Sequence, residues 1–352
     1  MATIDVLVVD DSPFMQRLIT KLLETDPHIH VVGTAGDGHQ ALERIRDIHP
    51  DVVTMDIEMP RLDGLATLDK LMQQMPTPVI MLSGIDDASA AVQALELGAV
   101  DFVAKPSGTV SIDLYKIRDE LVAKVKIAAL VNLEPVVAQA QLPAAPALAP
   151  VPKTPAHGLP LVAIGASTGG PRALTLIFHQ LPADLPAGVL VVQHMPAGFT
   201  AGFAQRLDLH SPLGVKEAGE GEAIESGTAY VAPGGKHMVV AREGDRLLIH
   251  LLETAAVNSV RPSADVLMTS VAEVAEAHSV GVVLTGMGRD GSQGLAHIKR
   301  ARGATLAQNR ESSAVFGMPR AAIEQGVVDR VLPLSEIPAA IVKAVEEKCG
   351  HG

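Results

Sequence analysis

Short apolar runs alternate with segments of helical spacing along most of this chain, and this alternation limits the possible folds more than any other feature. In the first 128 residues such runs predict buried strands at 4–9, 30–35, 51–55, 78–82 and 99–103. Between two of these strands, Leu65, Leu68 and Leu71 recur at helical spacing. Strands that alternate with helices form parallel sheets with helices on both faces. We therefore expect a five-stranded parallel α/β domain in this region.

The composition changes after this region. Periodicity disappears between about 131 and 158, where prolines lie among alanines at positions 135, 143, 146, 150, 152 and 155. A segment of this composition does not bury an apolar core, so it is predicted to be a semi-extended linker.

The alternation resumes at Leu161. Strands are predicted at 161–165, 188–194, 280–285 and 303–308, and helices near 171–181, 264–277, 292–302 and 336–347. Short runs between glycine turns at 212–253 predict a small antiparallel excursion. The predicted organisation is a first domain at 1–128, a linker at 129–158 and a doubly wound α/β domain at 159–352 with a mostly parallel sheet.

Charge and composition argue against several classes of partner. The net charge of −12 opposes binding to phosphate backbones, and an aromatic content of 2% without Trp leaves few platforms for base stacking. The single cysteine, Cys349, cannot form an intrachain disulfide, which fits a reducing compartment. The first residues lack the basic region of a signal peptide, and no apolar run approaches the ~20 residues that span a bilayer. We expect a cytoplasmic protein without a nucleic-acid partner and without membrane insertion.

Polar residues follow successive strands of the first predicted domain. Asp10 and Asp11 follow the first strand, Asp56 the third, Ser83 the fourth and Lys105 the fifth. The carboxyl ends of parallel strands meet at one edge, so these side chains are expected to converge, although any one of them alone reads as a solvated loop residue. Three carboxylates suit Mg²⁺, and one of them can act as a nucleophile toward phosphorus. The hydroxyl and the ammonium group would hold the phosphoryl oxygens.

The same pattern, which ends in Lys105-Pro106, resembles the response-regulator receiver domain across residues 1–128. The resemblance implies a flavodoxin-like fold with Asp56 as the phospho-acceptor. It implies that Asp10, Asp11 and Asp56 bind Mg²⁺ for phosphorylation. It also implies that Ser83 is the switch hydroxyl and Lys105 the phosphate-sensing cation.

A serine lies in a glycine-rich turn at the start of the second predicted domain. Ser167 is the central residue of Gly165-Ala-Ser-Thr-Gly169, which follows a strand and satisfies the pattern G-x-S-x-G. Glycines allow a tight strand-to-helix turn that exposes a serine hydroxyl, and Pro171 suits the first turn of a helix. A glycine-rich turn of this kind can also hold a phosphate, although Ser167 stands where a dinucleotide motif has its second glycine.

Two further strands end in residues that can assist a serine nucleophile. His194 follows the strand after Ser167, and Asp290 follows the run near 280–285. A serine needs a base, and the imidazole of that base needs a carboxylate to fix its tautomer. The order Ser–His–Asp differs from the Ser–Asp–His order of α/β-hydrolases. Alternatively, His194 is a structural or solvated histidine and Asp290 a turn former.

Longer motifs around these residues resemble the chemotaxis protein-glutamate methylesterases over residues 160–345. The motifs are GASTGGP, VVQHMPAGFT, YVAPGGKHM, RPSADVL, VLTGMGRDG, AQN and VFGMPRAAIEQG. The resemblance implies that Ser167 is the nucleophile, His194 the base and then the acid, and Asp290 the orienting carboxylate.

The implied reaction is hydrolysis of glutamyl methyl esters, releasing methanol, on the methylated cytoplasmic domains of chemoreceptors. The resemblance also implies deamidation of receptor glutamines, and a chemotaxis histidine kinase as phosphodonor to the receiver.

An oxyanion formed in this reaction needs preorganised N–H donors. Candidate donors are the backbone N–H groups of Thr168 and of Met287, in the turn at 285–288. Ester hydrolysis by a serine needs no metal. His237 has no second His or Cys at metal spacing, so a structural or substrate-facing role is expected for it.

Two other classes of function stay open at this point. The second domain can instead be a nucleotide-binding or adaptor module whose glycine-rich turn holds phosphate. The whole chain can instead be a transcriptional response regulator, but no basic helix-turn-helix pattern follows the linker and the net charge has the wrong sign.

Overall fold

The structure is a computed structural model that describes residues 3–84, 88–105, 111–131, 133 and 158–350. The chain divides into two compact units, residues 1–141 and 142–352. The division falls inside the predicted linker, most of which (132 and 134–157) lies outside the described residues. The exact domain boundaries therefore stay predictions.

The first unit is built on a parallel sheet in which strands and helices alternate. The elements are β1 (Ile4–Val9), α1 (Pro13–Leu23), β2 (Ile29–Ala35), α2 (Gly38–Ile48), β3 (Val52–Asp56), α3 (Gly64–Gln74), β4 (Val79–Ser83), α4 (Ala88–Leu97), β5 (Asp101–Ala104) and α5 (Ser111–Ala128). The strand order is β2-β1-β3-β4-β5, with every neighbouring pair parallel. The predicted five-stranded parallel domain is confirmed.

Polar side chains start three of these helices, in the connections that follow β1, β2 and β3. Ser12 accepts a hydrogen bond from the backbone of Met15, Asp37 from that of Gln40, and Asp63 from that of Ala66. Each cap satisfies an N–H group that the first turn of a helix leaves without a partner. Strand ends and helix starts therefore share one edge of the sheet, the edge that carries the acidic residues.

The second unit also contains a sheet with helices. Its elements are β6 (Leu161–Ala166), α6 (Gly170–Phe178), β7 (Gly188–Gln193), α7 (Thr200–His210), β8 (Gly214–Glu217), β9 (Glu222–Ala223), β10 (Thr228–Val231), β11 (His237–Glu243), β12 (Arg246–Leu252), α8 (Ala264–Ala275), β13 (Ser279–Val283), α9 (Ser292–Arg300), β14 (Ala304–Gln308), α10 (Met318–Glu324), β15 (Arg330–Leu332) and α11 (Ile337–Gly350). The order of the larger sheet is β15-β14-β13-β6-β7-β10-β8, and its neighbouring strands are parallel.

The small antiparallel excursion predicted at 212–253 is confirmed. Strands β9, β12 and β11 form a separate antiparallel sheet, whereas β8 and β10 join the parallel sheet. The connection from β8 to β10 contains no helix, only β9. Parallel neighbours usually require a helical crossover, so the sequence did not indicate that β8 and β10 belong to the parallel sheet.

Apolar side chains fill the second unit between the parallel sheet, α8 and the small antiparallel sheet. Leu190 of β7, Ile249 of β12 and Leu267 of α8 are fully buried members of this core. Burial of side chains of this size stabilises a fold by about 1.5–3 kcal/mol each. Within the residues described, no helix has the length and apolar character that crossing a membrane requires.

Candidate active site

The carboxyl edge of the first sheet brings three carboxylates together. Asp10 and Asp56 are buried and Asp11 is exposed, and one oxygen from each lies within 4.8 Å of the others. The ammonium of Lys105 lies 2.6 Å from Asp56 Oδ2 and 3.2 Å from Asp10 Oδ2. Asp10 Oδ2 is buried and accepts no hydrogen bond of good geometry. A buried carboxylate oxygen left in this state, with two more carboxylates beside it, fits a site for a hard divalent cation such as Mg²⁺.

The charges of this edge shift one another's protonation. Burial raises the pKa of Asp56, as does Asp10, while Lys105 acts in the opposite direction. Burial favours the neutral amine of Lys105, but Asp56 and Asp10 outweigh it and hold the pKa of that lysine above its ordinary value. Ser83 is buried at the end of β4, and its carbonyl accepts the backbone N–H of Lys105 at 2.7 Å. All five predicted residues therefore lie at one edge, and Pro106 lies outside the described residues.

In the second unit, Ser167 lies in the tight turn between β6 and α6. Gly169 has a φ of +76°, a conformation that other residues rarely adopt. The backbone N–H of Ser167 donates to Thr285 O at 3.0 Å, and that of Gly170 donates to Ser167 O at 2.7 Å. A Cβ atom at Gly286 would lie 2.6 Å from Cβ of Ser167. The loop after β13 therefore approaches the serine as closely as it does only because residue 286 is a glycine.

The histidine and the aspartate predicted from the sequence lie in direct contact. His194 Nε2 is 2.8 Å from Asp290 Oδ2, and Asp290 is only 2% exposed. Strand β6, which precedes Ser167, lies between β7, which precedes His194, and β13, after which Asp290 follows. Three adjacent strands thus supply the three residues. No hydrogen bond joins Ser167 and His194 within the described part of the chain.

Asp290 is surrounded by donors at the start of α8. Ser263 Oγ donates to Oδ1 at 2.6 Å, and the backbone N–H groups of Ala264 and Asp265 donate to the carboxylate at 2.6 and 3.2 Å. Burial alone would raise the pKa of Asp290, but the hydrogen bonds from His194, Ser263 and Ala264 outweigh it and lower the pKa to about 2. The carboxylate is therefore ionised at neutral pH and fixed in orientation.

The imidazole is consequently fixed as well. An ionised carboxylate accepts hydrogen bonds only, so the nitrogen that faces Asp290, Nε2, carries a proton. In the neutral ring the other nitrogen, Nδ1, then has a free lone pair. His194 can therefore act as a base through Nδ1, with Nε2 held by the carboxylate.

Comparisons with known proteins agree with this arrangement. A family model described as CheB methylesterase matches residues 162–341, and one described as response regulator receiver domain matches residues 6–114. A Pyrococcus horikoshii protein named protein-glutamate methylesterase/protein-glutamine glutaminase is 48% identical over 99% of this chain and 95% of its own length. A Symbiobacterium thermophilum protein of the same name is 51% identical over 98% of both chains. The chain belongs to the CheB methylesterase family.

A solved structure of this family has the fold of the second unit. The crystal structure of the Thermotoga maritima CheB methylesterase catalytic domain matches with a TM-score of 0.52 and 41% identity, covering 53% of this chain and 99% of that one. The first unit is a response-regulator receiver domain, as the match over residues 6–114 shows. Membership of the CheB family argues against a transcription factor, the third class left open by the sequence.

Sequence reasoning missed a glutamine that contacts both Ser167 and His194. Gln193 is 2% exposed, and its Nε2 donates to Ser167 O at 3.0 Å and to His194 O at 3.2 Å. A Cβ atom at Gly170 would lie 2.1 Å from Gln193 Oε1, so the glycine of the serine turn leaves room for this side chain. Its position directly before His194 in the motif VVQHM was the available signal.

His237, for which a structural or substrate-facing role was expected, is fully buried. Its Nδ1 accepts the backbone N–H of Ser263 at 3.2 Å, and its Nε2 faces Ala255 O at 3.0 Å. Because a carbonyl only accepts, Nε2 donates to Ala255, while Nδ1 is the acceptor for Ser263. His237 thus holds the start of α8 in place, which is the structural role.

Proposed function

We propose that this CheB-family chain is a phosphorylation-regulated serine hydrolase that demethylates glutamate methyl esters on chemoreceptors. The observation that carries the proposal is the 2.8 Å contact between His194 and Asp290 beside the turn of Ser167. A buried carboxylate that fixes a histidine next to a serine on a sharp turn is the arrangement that acyl transfer requires. The names of the relatives supply the substrate class.

Ser167 is the proposed nucleophile. Its Oγ attacks the carbonyl carbon of the glutamyl ester while His194 Nδ1 takes the hydroxyl proton. The imidazolium formed in this step is stabilised by the ionised Asp290. The carbonyl oxygen becomes an oxyanion, for which the backbone N–H groups of Thr168 and Met287 are the proposed donors.

Support for the second donor comes from the loop after β13. The neighbouring Gly286 touches Ser167, and no hydrogen bond within the described residues uses the N–H of Met287. Met287 is 54% exposed, so this turn lies at the surface, where a substrate can reach it.

The intermediate then expels methoxide, which takes the proton from His194 Nδ1 and leaves as methanol. Water attacks the acyl-enzyme and gives a proton to the same nitrogen. That proton returns to Ser167 Oγ as the glutamate is released. The identical sequence with a glutamine side chain would release ammonia, which corresponds to the glutaminase activity in the names of the relatives.

The serine turn is less suited to holding phosphate. The backbone N–H of Ser167 already donates to Thr285, and that of Gly170 to Ser167 O. A phosphate-binding loop needs such N–H groups directed at the ligand. The nucleotide-binding alternative therefore loses two of the donors it depends on.

In the receiver domain, Asp56 is the proposed phospho-acceptor. Asp10, Asp11 and Asp56 would hold Mg²⁺, which when bound neutralises carboxylate and phosphoryl charge at this edge. Lys105 already lies 2.6 Å from Asp56, so it can hold a phosphoryl oxygen there, and Ser83 would respond as the switch hydroxyl. A chemotaxis histidine kinase is the proposed phosphodonor.

The test is methanol release from a methylated receptor cytoplasmic fragment by the full chain, with and without a small phosphodonor. We expect release that the phosphodonor stimulates and that Ser167→Ala abolishes. Release that persists unchanged in the Ser167→Ala variant would assign the activity to another group.

A further inference from the structure

An exposed loop joins β12 to α8 and carries an asparagine into the active site. Asn258 and Ser259, at the tip, have φ values of +52° and +65°. Val257 and Val260 pair on either side of them, with N–O distances of 3.2 and 3.0 Å. Two successive left-handed residues between paired neighbours form a tight turn, and asparagine tolerates this conformation well.

The base of this loop is held firmly although its tip is exposed. Arg261 Nη1 donates to Glu253 O at 3.2 Å and to Thr254 O at 2.7 Å, and His237 contacts Ala255 O. The loop backbone is therefore fixed from both sides. Such anchoring limits the positions that the Asn258 side chain can reach.

The Asn258 amide lies between two carboxylates. Its Nδ2 donates to Asp290 Oδ1 at 3.0 Å and to Asp265 Oδ2 at 2.8 Å. An amide nitrogen has two hydrogens, so it can serve both acceptors at once. Asp265 is only 8% exposed, and its other oxygen accepts the backbone N–H of Gly294 at 2.7 Å.

Without this amide, two buried negative charges would face each other. Burial raises the pKa of Asp265, and the charge of Asp290 raises it further. Like charges in a site of low polarity repel strongly. Unless Asp265 takes up a proton, Asp290 rotates or shifts in response, and either movement changes its contact with His194.

We propose that Asn258 is a positioning residue of the triad, because its amide bridges Asp265 and Asp290 and so keeps the carboxylate aimed at His194. The inference rests on the proposed roles of Ser167, His194 and Asp290. It predicts that the rate of the reaction depends more on a hydrogen-bond donor at residue 258 than on the size of that side chain. It also predicts that the need for this donor depends on the charge of Asp265.

These two dependences separate positioning from simple loop stability. Asn258→Asp keeps shape and tolerance of the left-handed conformation but replaces the donor by a third carboxylate. Asn258→Ala removes the donor without adding charge. Asp265→Asn, combined with Asn258→Asp, again gives one amide and two carboxylates in the cluster. Ser259→Ala is the matched control, since Ser259 lies in the same turn and the same backbone conformation.

The full chain should be assayed in two ways. One is methanol release from a methylated receptor fragment, and the other is the rate at which a serine-directed phosphonate inactivates Ser167. We expect kcat and the inactivation rate to fall about 10-fold for Asn258→Ala and about 100-fold for Asn258→Asp, as for other groups that orient a catalytic ligand. Ser259→Ala should stay within about twofold, and KM should change little in every variant.

In the double variant, Asn258→Asp with Asp265→Asn, kcat and the inactivation rate should be about 10-fold higher than in Asn258→Asp alone. Among the residues that the structure describes, the titratable groups beside Asn258 are Asp265 and Asp290. His194 contacts Asp290 directly, and His237 reaches it through the backbone of Ser263. An added carboxylate favours protonated imidazole, so the rising limb of kcat/KM in Asn258→Asp should move to higher pH.

The inference is overturned if Asn258→Asp is no slower than Asn258→Ala, or if the double variant recovers nothing. The phosphonate rate distinguishes this failure from failure of the proposed function. If the wild type releases no methanol but reacts with phosphonate at Ser167, the substrate assignment fails, and the variants still decide the role of Asn258. If Ser167 of the wild type is inert to both, the proposed triad itself fails.

Discussion

Replacing Asp290 with asparagine tests the triad most directly, because the two oxygens of this carboxylate have different partners. Oδ1 accepts from Ser263, from Asn258 and from the backbone of Asp265. Oδ2 faces His194 Nε2 and accepts the N–H of Ala264. An asparagine can match only one of these environments, since one of its two terminal atoms is a donor.

Of the two orientations of the asparagine side chain, the favoured one puts the amide oxygen at the Oδ1 position, where three donors converge. The amide NH₂ group then faces His194 Nε2 and the N–H of Ala264. A donor opposite Nε2 favours the tautomer with the proton on Nδ1, the nitrogen needed as the base. We therefore expect kcat to fall by about 10⁴-fold, the order found when a triad aspartate elsewhere is replaced by asparagine.

A loss of stability should accompany the loss of activity. The pKa of Asp290 is lowered from 3.8 to about 2, so the folded protein favours its ionised form by roughly 2 kcal/mol. The donor–donor contact at Ala264 adds about 1–3 kcal/mol. A decrease of about 3–5 kcal/mol in the free energy of unfolding of the second unit is the sum of these two effects.

The assay compares methanol release and urea unfolding of the full chain with those of a matched control, Asp329→Asn. Asp329 Oδ2 accepts two hydrogen bonds from Thr305, and the contact lies at the start of β14, away from the carboxyl edge. The control should lose some stability and keep its kcat. If Asp290→Asn retains more than about a tenth of the wild-type kcat, Asp290 does not set the tautomer of His194.

The remaining predictions concern the nucleophile, the receiver and pH. Ser167→Ala should lower methanol release by several orders of magnitude while thermal unfolding stays unchanged, and retention of a tenth of the rate would contradict its role. Asp56→Ala should remove stimulation by a small phosphodonor and leave the basal rate nearly intact; a rate that the phosphodonor still raises would contradict this. Chelation of divalent cations should have the same effect as Asp56→Ala, and unchanged stimulation would argue against the Mg²⁺ site. Because the pKa of Asp290 is depressed, its stabilising contribution is complete above about pH 4 and disappears as pH falls toward 2, so the difference in unfolding free energy between wild type and Asp290→Asn should shrink over that range.

The residues of both sites could be located from the sequence because each follows a strand with a clear apolar run. Asp56 is the last residue of β3 and His194 directly follows β7, and parallel strands end at a common edge. Which strands are neighbours was not predictable, since strand order depends on contacts between distant segments. The position of β6 between β7 and β13 is what brings His194 and Asp290 to Ser167.

The supporting residues were harder to find. Asn258 lies in an exposed loop without periodicity, so nothing local indicates that its amide reaches a buried carboxylate. Ser263 gave a weak signal, because a serine before the apolar spacing of α8 predicts a helix start. In the structure the Ser263 hydroxyl donates to Asp290, and within the described residues this side chain makes no capping hydrogen bond to the backbone of α8.

The distance between strands explains why the triad acid follows its strand after a longer loop than the base does. Neighbouring strands are about 4.8 Å apart, so β7 and β13, which flank β6, are separated by roughly 10 Å. His194 follows β7 immediately, whereas Asp290 comes seven positions after Val283, the last residue of β13. That length lets the chain pass Ser167 at Gly286 before Asp290 meets both His194 and the start of α8. The same loop therefore contacts Ser167 and carries Asp290. A bulky side chain at position 286 should displace both residues at once.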